Sequence, residues 1–88
     1  MTRWHIYFSG EVQHVGFRYT AYYFAQQLYL TGWVDNLWDG RVEMEAQGTP
    51  LQLQRLLSQL KGRFEIDRVE VEKLEPKPHE RKFQVRGY

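Results

Sequence analysis

An α+β fold, one β-sheet with two helices on one of its faces, is what this 88-residue sequence predicts, and three observations carry that expectation. Hydrophobicity alternates with period two, changes to a helical period, and returns to alternation, and it does so twice along the chain. An Asp-Gly pair lies between two β-prone stretches near the middle, a strong hairpin signal. Hydrophobic residues make up 42% of the chain and cysteine is absent, so a core must be held by packing alone.

The first strand is read over Arg3–Val12, where Trp4, Ile6 and Phe8 fall on one side and His5, Tyr7 and Ser9 on the other. Gly10 weakens the pattern and Gly16 ends it. From Phe17 the period becomes helical: Phe17, Ala21, Phe24, Ala25 and Leu28 share one face, and Gly32 is read as the stop. Trp33–Leu37 and Arg41–Ala46 are the next two strands, turned by Trp38-Asp39-Gly40. Thr49 then caps a second helix with Pro50 in its first position; Leu53, Leu56, Leu57 and Leu60 form its apolar face, and Gly62 is its expected end. Ile66–Leu74 alternates again, and Phe83 and Val85 mark a short last strand after the Pro76-Lys77-Pro78 break. The order β-α-β-β-α-β with an extra strand predicts a ferredoxin-like sandwich: an antiparallel sheet of four to five strands with both helices on one face. Residues 1–88 are expected to form a single domain.

Composition excludes several functions. Lys and Arg number 12 against 11 Asp and Glu, which gives no broad attraction to nucleic acid or to an anionic membrane surface. Without cysteine there is no thiolate nucleophile and no Cys-based metal centre. His5, His14 and His79 are scattered with no helical i, i+4 pair, so neither a metal nor another cofactor is expected. The N-terminal residues carry no export signal and no apolar run is long enough to span a membrane, which makes the cytoplasm the expected location. No exposed apolar stripe demands a partner, and a monomer is expected.

The segment between the first strand and the first helix, Gly10-Glu11-Val12-Gln13-His14-Val15-Gly16-Phe17-Arg18, is the richest in chemistry. Such a turn aims unpaired amide N–H groups and the positive end of the helix dipole at one place, which favours an anion. Arg18 stands in the first helical turn, an unfavourable place for a cation unless an anion answers it, and its planar fork suits two oxygens of a phosphate. The plainer reading of Arg18 is a solvated residue at a helix start.

The run Gly10-x-Val12-Gln13-x-Val15-Gly16-Phe17-Arg18 resembles the first signature of the acylphosphatase family, G-x-V-Q-G-V-x-F-R, with only His14 departing from it. Gly32-Trp33-Val34-Asp35-Asn36-Leu37-Trp38-Asp39-Gly40-Arg41-Val42-Glu43 is similar to the second, G-W-V-x-N-x-x-D-G-x-V-E, at every fixed place. The resemblance implies metal-independent hydrolysis of an acyl phosphate to a carboxylate and inorganic phosphate. It assigns phosphate binding to Arg18 and the loop Gln13, His14, Val15, Gly16 and Phe17, and water orientation to Asn36. Neither Arg18 nor Asn36 is a nucleophile, as expected where the leaving carboxylate needs little protonation and catalysis rests on positioning and charge. Asp35 should point to the opposite side of its strand and is left out of the site.

Two features of the sequence qualify this expectation. The family's glycine at position 14 implies a left-handed backbone or a close approach to phosphate; a histidine there costs on the order of 1 kcal/mol. Its imidazole either lies at the mouth of the site, where protonation would strengthen anion binding, or simply faces water. The tyrosines Tyr19, Tyr22, Tyr23 and Tyr29 are read as rings buried against the sheet with wet hydroxyls, needing no ligand. One alternative is a non-catalytic domain of the same fold that binds phosphate or carbamoyl phosphate. A remote one is an RNA-binding module, disfavoured because Arg41–Glu45 offers two acids and no ring for stacking. Nothing in the sequence selects the acyl group.

Overall fold

The elements follow in the order β1 (Thr2–Glu11), α1 (Phe17–Gln27), β2 (Thr31–Asn36), β3 (Val42–Gly48), α2 (Pro50–Arg63), β4 (Glu65–Leu74) and β5 (Phe83–Val85) in a computed structural model that describes residues 1–87. The sheet order is β4-β1-β3-β2-β5. The four long strands pair antiparallel as expected, while β5 joins β2 in parallel, Gly32 opposite Phe83 and Val34 opposite Val85, so the sheet is mixed.

Both helices cover one face. Ile6 and Phe8 from β1, Val34 from β2, and Val42, Met44 and Ala46 from β3 meet Phe17, Ala21 and Ala25 of α1 and Leu53, Leu56 and Leu60 of α2 in one buried cluster. This is the apolar side of each amphipathic element, and its removal from water drives the assembly. Among the described residues, no helix is long and apolar enough to cross a membrane.

Two glycines do not play the parts expected of them. The first helix ends at Gln27, and Tyr29 takes the left-handed position with φ 59°, where the Leu30 N–H reaches Ala25 O at 2.9 Å. Gly32 instead lies within β2 at φ 141°, where a Cβ would collide with the Glu45 carbonyl of β3, so the strand beside it accepts only glycine. Gly62 is passed by a helix that runs on to Arg63; Phe64 closes it, its N–H bonding Leu60 O. The start of α2 is as read: Thr49 accepts the Gln52 N–H, and the Gln52 side chain accepts the Thr49 N–H at 2.8 Å.

The open face of the sheet carries a polar network. Arg3 is fully buried there; it donates to Glu45 at 2.7 Å, to Gln47 at 3.2 Å, and through both arms of its fork to Glu80 at 2.8 and 3.2 Å. Gln47 in turn donates to the Lys77 carbonyl and accepts the Lys77 N–H, so the segment between β4 and β5 is stitched to β3. Burial alone would raise the carboxyl pKa of Glu45 and Glu80, but the hydrogen bonds and charge of Arg3 outweigh it and hold both below the ordinary carboxylate range.

Candidate active site

The connection from β1 to α1 is anchored at both ends. Val12 and Phe17 are buried, and the Phe17 ring packs against Phe8 and Phe64 at centroid distances of 5.0 and 4.9 Å. Residues 13–16 therefore have to arch outward between two fixed points. His14 has φ 62° and Gly16 φ 80°, so the histidine does occupy a left-handed conformation, and it is exposed to water at the rim of the site. A Cβ at Gly16 would meet nothing within 4 Å; glycine is needed there for its dihedral and not for space.

Gln13 ties this arch to the hairpin. Its side-chain amide donates to the carbonyls of Leu37 at 2.7 Å and Arg41 at 2.9 Å. The hairpin is itself braced by Asp39, which accepts the Arg41 backbone N–H at 3.1 Å and its Nε at 2.9 Å. The Gln13 side chain thus fixes the loop next to the end of β2, a job that no periodicity in the sequence announces.

The start of α1 differs from that of α2. Gly16 offers no side-chain cap and the first turn holds no acidic residue. The first amides of α1 consequently keep their donors directed outward, with the positive end of the helix dipole behind them. Arg18 stands in that turn. One guanidinium nitrogen donates to the Arg86 carbonyl at 2.7 Å and to the Gly87 carbonyl, which fixes the plane of the fork. Among the described residues, no carboxylate pairs with it.

Asn36 closes β2 on the same side as Val34, the helix-covered side, while Asp35 points to the open face beside Gly87. The Asn36 Oδ1 is buried and has no hydrogen-bond partner. A buried acceptor without a partner costs on the order of 1–3 kcal/mol, so this oxygen is suited to a ligand that brings a donor.

These pieces enclose a cavity of about 380 Å³ lined by Val12, His14, Gly16, Phe17, Arg18, Tyr19 and Asn36. Of the residues expected at the site, His14, Gly16, Phe17, Arg18 and Asn36 are brought together; Gln13 braces the loop from behind, and Val15 stands largely exposed outside the lining. Tyr19 was not expected there. It, Tyr23 and Tyr29 expose more than half of their surface and are not rings buried against the sheet: Tyr19 and Tyr23 point away from the apolar face of α1, and Tyr29 lies in the left-handed turn beyond its end. Among the described residues there is no cluster of His, Asp or Glu fit to hold a metal ion. The cavity thus offers backbone donors, one cationic fork and one unpaired acceptor, a set suited to a tetrahedral anion and an adjoining water.

The acylphosphatase family model matches residues 4–85. An acylphosphatase of Geobacillus thermodenitrificans is 39% identical over 88 residues, covering 97% of this chain and 94% of that protein. One from Marinobacter nauticus is 54% identical over 56 residues, a match that spans 64% of this chain and 61% of the relative. In three dimensions the chain is similar to the crystal structure of acylphosphatase from Bacillus subtilis, with a TM-score of 0.91 and 32% identity over 99% of this chain and all of that one. A match over nearly the full length, in sequence and in backbone alike, means that this chain belongs to the acylphosphatase family.

Proposed function

We propose that the amides of residues 13–17 and the Arg18 guanidinium hold the phosphate of an acyl phosphate, and that Asn36 orients the water that displaces the acyl group. The reaction is that of the family, hydrolysis of an acyl phosphate to a carboxylate and inorganic phosphate. The observation that carries the assignment of roles is the buried, unpaired Oδ1 of Asn36, a residue that lines the same cavity as Arg18. An acceptor there takes an O–H of water and leaves a lone pair of that water turned toward phosphorus.

The water oxygen forms a bond to phosphorus while the bond from phosphorus to the acyl oxygen breaks. The electron pair leaves with the carboxylate; one proton of the water stays on the phosphate product and the other is released to the solvent. In such loose transfers charge on the equatorial oxygens dominates, and preorganised amides with one arginine answer it without a base or a metal. Fixing the fork by the Arg86 and Gly87 carbonyls means that little side-chain freedom is lost when substrate binds. The same reading takes residues 1–88 as a single monomeric domain of the cytoplasm that acts without nucleic acid or membrane; the near-neutral charge and the lack of cysteine support it.

The test is hydrolysis of benzoyl phosphate in the presence of EDTA, followed by absorbance, with Arg18→Ala as control. Turnover abolished in the control is the expected result. A folded protein that binds inorganic phosphate without turnover would point to the non-catalytic alternative, with His14 the first residue to revert to glycine.

A further inference from the structure

We infer that Tyr19 is a specificity-determining residue: its ring forms the wall against which the acyl group of the substrate lies, favouring flat, uncharged acyl groups. This rests on the reading of the cavity as an acyl-phosphate site. A water occupies about 30 Å³ in the liquid, and a phosphate amounts to two or three of these. The cavity of about 380 Å³ therefore extends well beyond the part that the loop and Arg18 fill.

The phosphate end is fixed by the outward amides of α1, so the acyl end must occupy what remains. Val12 and Phe17 are almost wholly buried and form its floor, while Tyr19, 54% exposed as a residue, and His14 stand at its rim. Of the lining residues only Arg18 carries a permanent charge, and its fork is committed to the phosphate side. A second anionic group at the far end of an acyl chain would find no cation there, so the wall selects by contact area and flatness.

Tyr19 is placed to do this by helix geometry. Arg18 and Tyr19 are consecutive in the first turn, about 100° apart around the axis, so the residue that grips the phosphate and the ring beside it diverge around one opening. Tyr23, one turn further on, is 63% exposed and does not line the cavity. The ring of Tyr19 is thus set apart from its neighbour by position and not by exposure. A stacked or edge-on aromatic contact contributes enough to change a rate constant about fivefold.

The experiment compares kcat/KM for benzoyl phosphate and acetyl phosphate in native protein, Tyr19→Ala, Tyr19→Phe and Tyr23→Ala. The expected result is a benzoyl-to-acetyl ratio lowered about five- to tenfold in Tyr19→Ala, restored in Tyr19→Phe and unaltered in Tyr23→Ala. An unchanged ratio in Tyr19→Ala, in a protein that hydrolyses both substrates, would overturn the role of Tyr19 and leave the active site standing. An equal fall in Tyr23→Ala would overturn it as well, since the effect would then belong to the helix surface in general. Native protein that hydrolyses neither substrate would overturn the active-site reading and this one together.

Discussion

Two arginines on opposite faces of the same sheet show how one side chain is used in two ways. Arg3 on β1 is completely buried and has its donors answered by Glu45, Glu80 and Gln47. Arg18 on α1 is partly exposed and is held from one nitrogen by two backbone carbonyls, which orient it without neutralising it. Carboxylates satisfy Arg3 within the fold, and it joins two strands, β1 and β3, to the segment between β4 and β5. Carbonyls leave the charge of Arg18 in force, so it can be answered by something that arrives. The two helix starts repeat the contrast, since α2 is closed by the Thr49–Gln52 capping box and α1 is left open.

Equivalent substitutions should therefore separate the two regions. Arg18→Ala is expected to lower kcat/KM for benzoyl phosphate about a thousandfold, as for loss of a principal anion-stabilising group, while changing the free energy of unfolding by less than about 1 kcal/mol. Arg3→Ala should do the reverse: a loss of about 3 kcal/mol in urea unfolding, because Glu45 and Glu80 lose their counterion, with kcat preserved in the folded fraction. If both variants lost the same property, the contrast would fail.

Acid sharpens the same comparison. Glu45 and Glu80 have folded pKa values held below the ordinary 4.5, so their contribution to stability is complete above that pH. It is lost as pH falls below 4.5 through the depressed values, when protonation breaks their bonds to Arg3. Unfolding midpoints from pH 6 to 3 should show a steep loss that Arg3→Ala flattens; parallel curves would place the acid sensitivity elsewhere.

Within the site, Asn36→Ala is expected to lower kcat about a hundredfold, with stability unchanged or slightly raised because a buried acceptor without a partner is removed. A rise in KM alone would transfer Asn36 to substrate binding. The smallest effect is that of His14→Gly, which relieves the left-handed backbone at residue 14 and should stabilise the protein by up to about 1 kcal/mol. A loss of stability would mean that the imidazole helps to hold the loop.

Much of this arrangement was legible in the sequence because it is local. Alternation marked the strands, Asp39-Gly40 the hairpin, Thr49-Pro50 the second helix start, and the two signatures brought Arg18 and Asn36 forward. Gly32 was misread because a glycine near a helix end and a glycine pressed against a neighbouring strand look alike in one dimension. What decides between them is the Glu45 carbonyl, known only from the register of β2 with β3. The Arg3 cluster was missed for a related reason. Arg3 and His5 alternate on β1 as Glu43, Glu45 and Gln47 do on β3, but their facing one another depends on which strands pair. Tyr19 escaped because exposure on a helix says nothing of a cavity that another strand and loop must complete.

The carbonyls that steady Arg18 lie 68 and 69 positions further along the chain. That contact closes a loop of about three quarters of the 88-residue chain, and it needs β5 in its place beside β2, itself paired to β3 across the hairpin. Contacts so distant along the chain are rewarded late, so the hold on Arg18 is expected to belong to the final stage of folding and not to its nucleus. A partly folded chain with a well-formed α1 and hairpin would already display the signature residues and still lack a fixed arginine. Recovery of activity during refolding should on this account lag behind recovery of helical content, which makes the enzyme its own reporter of completed topology.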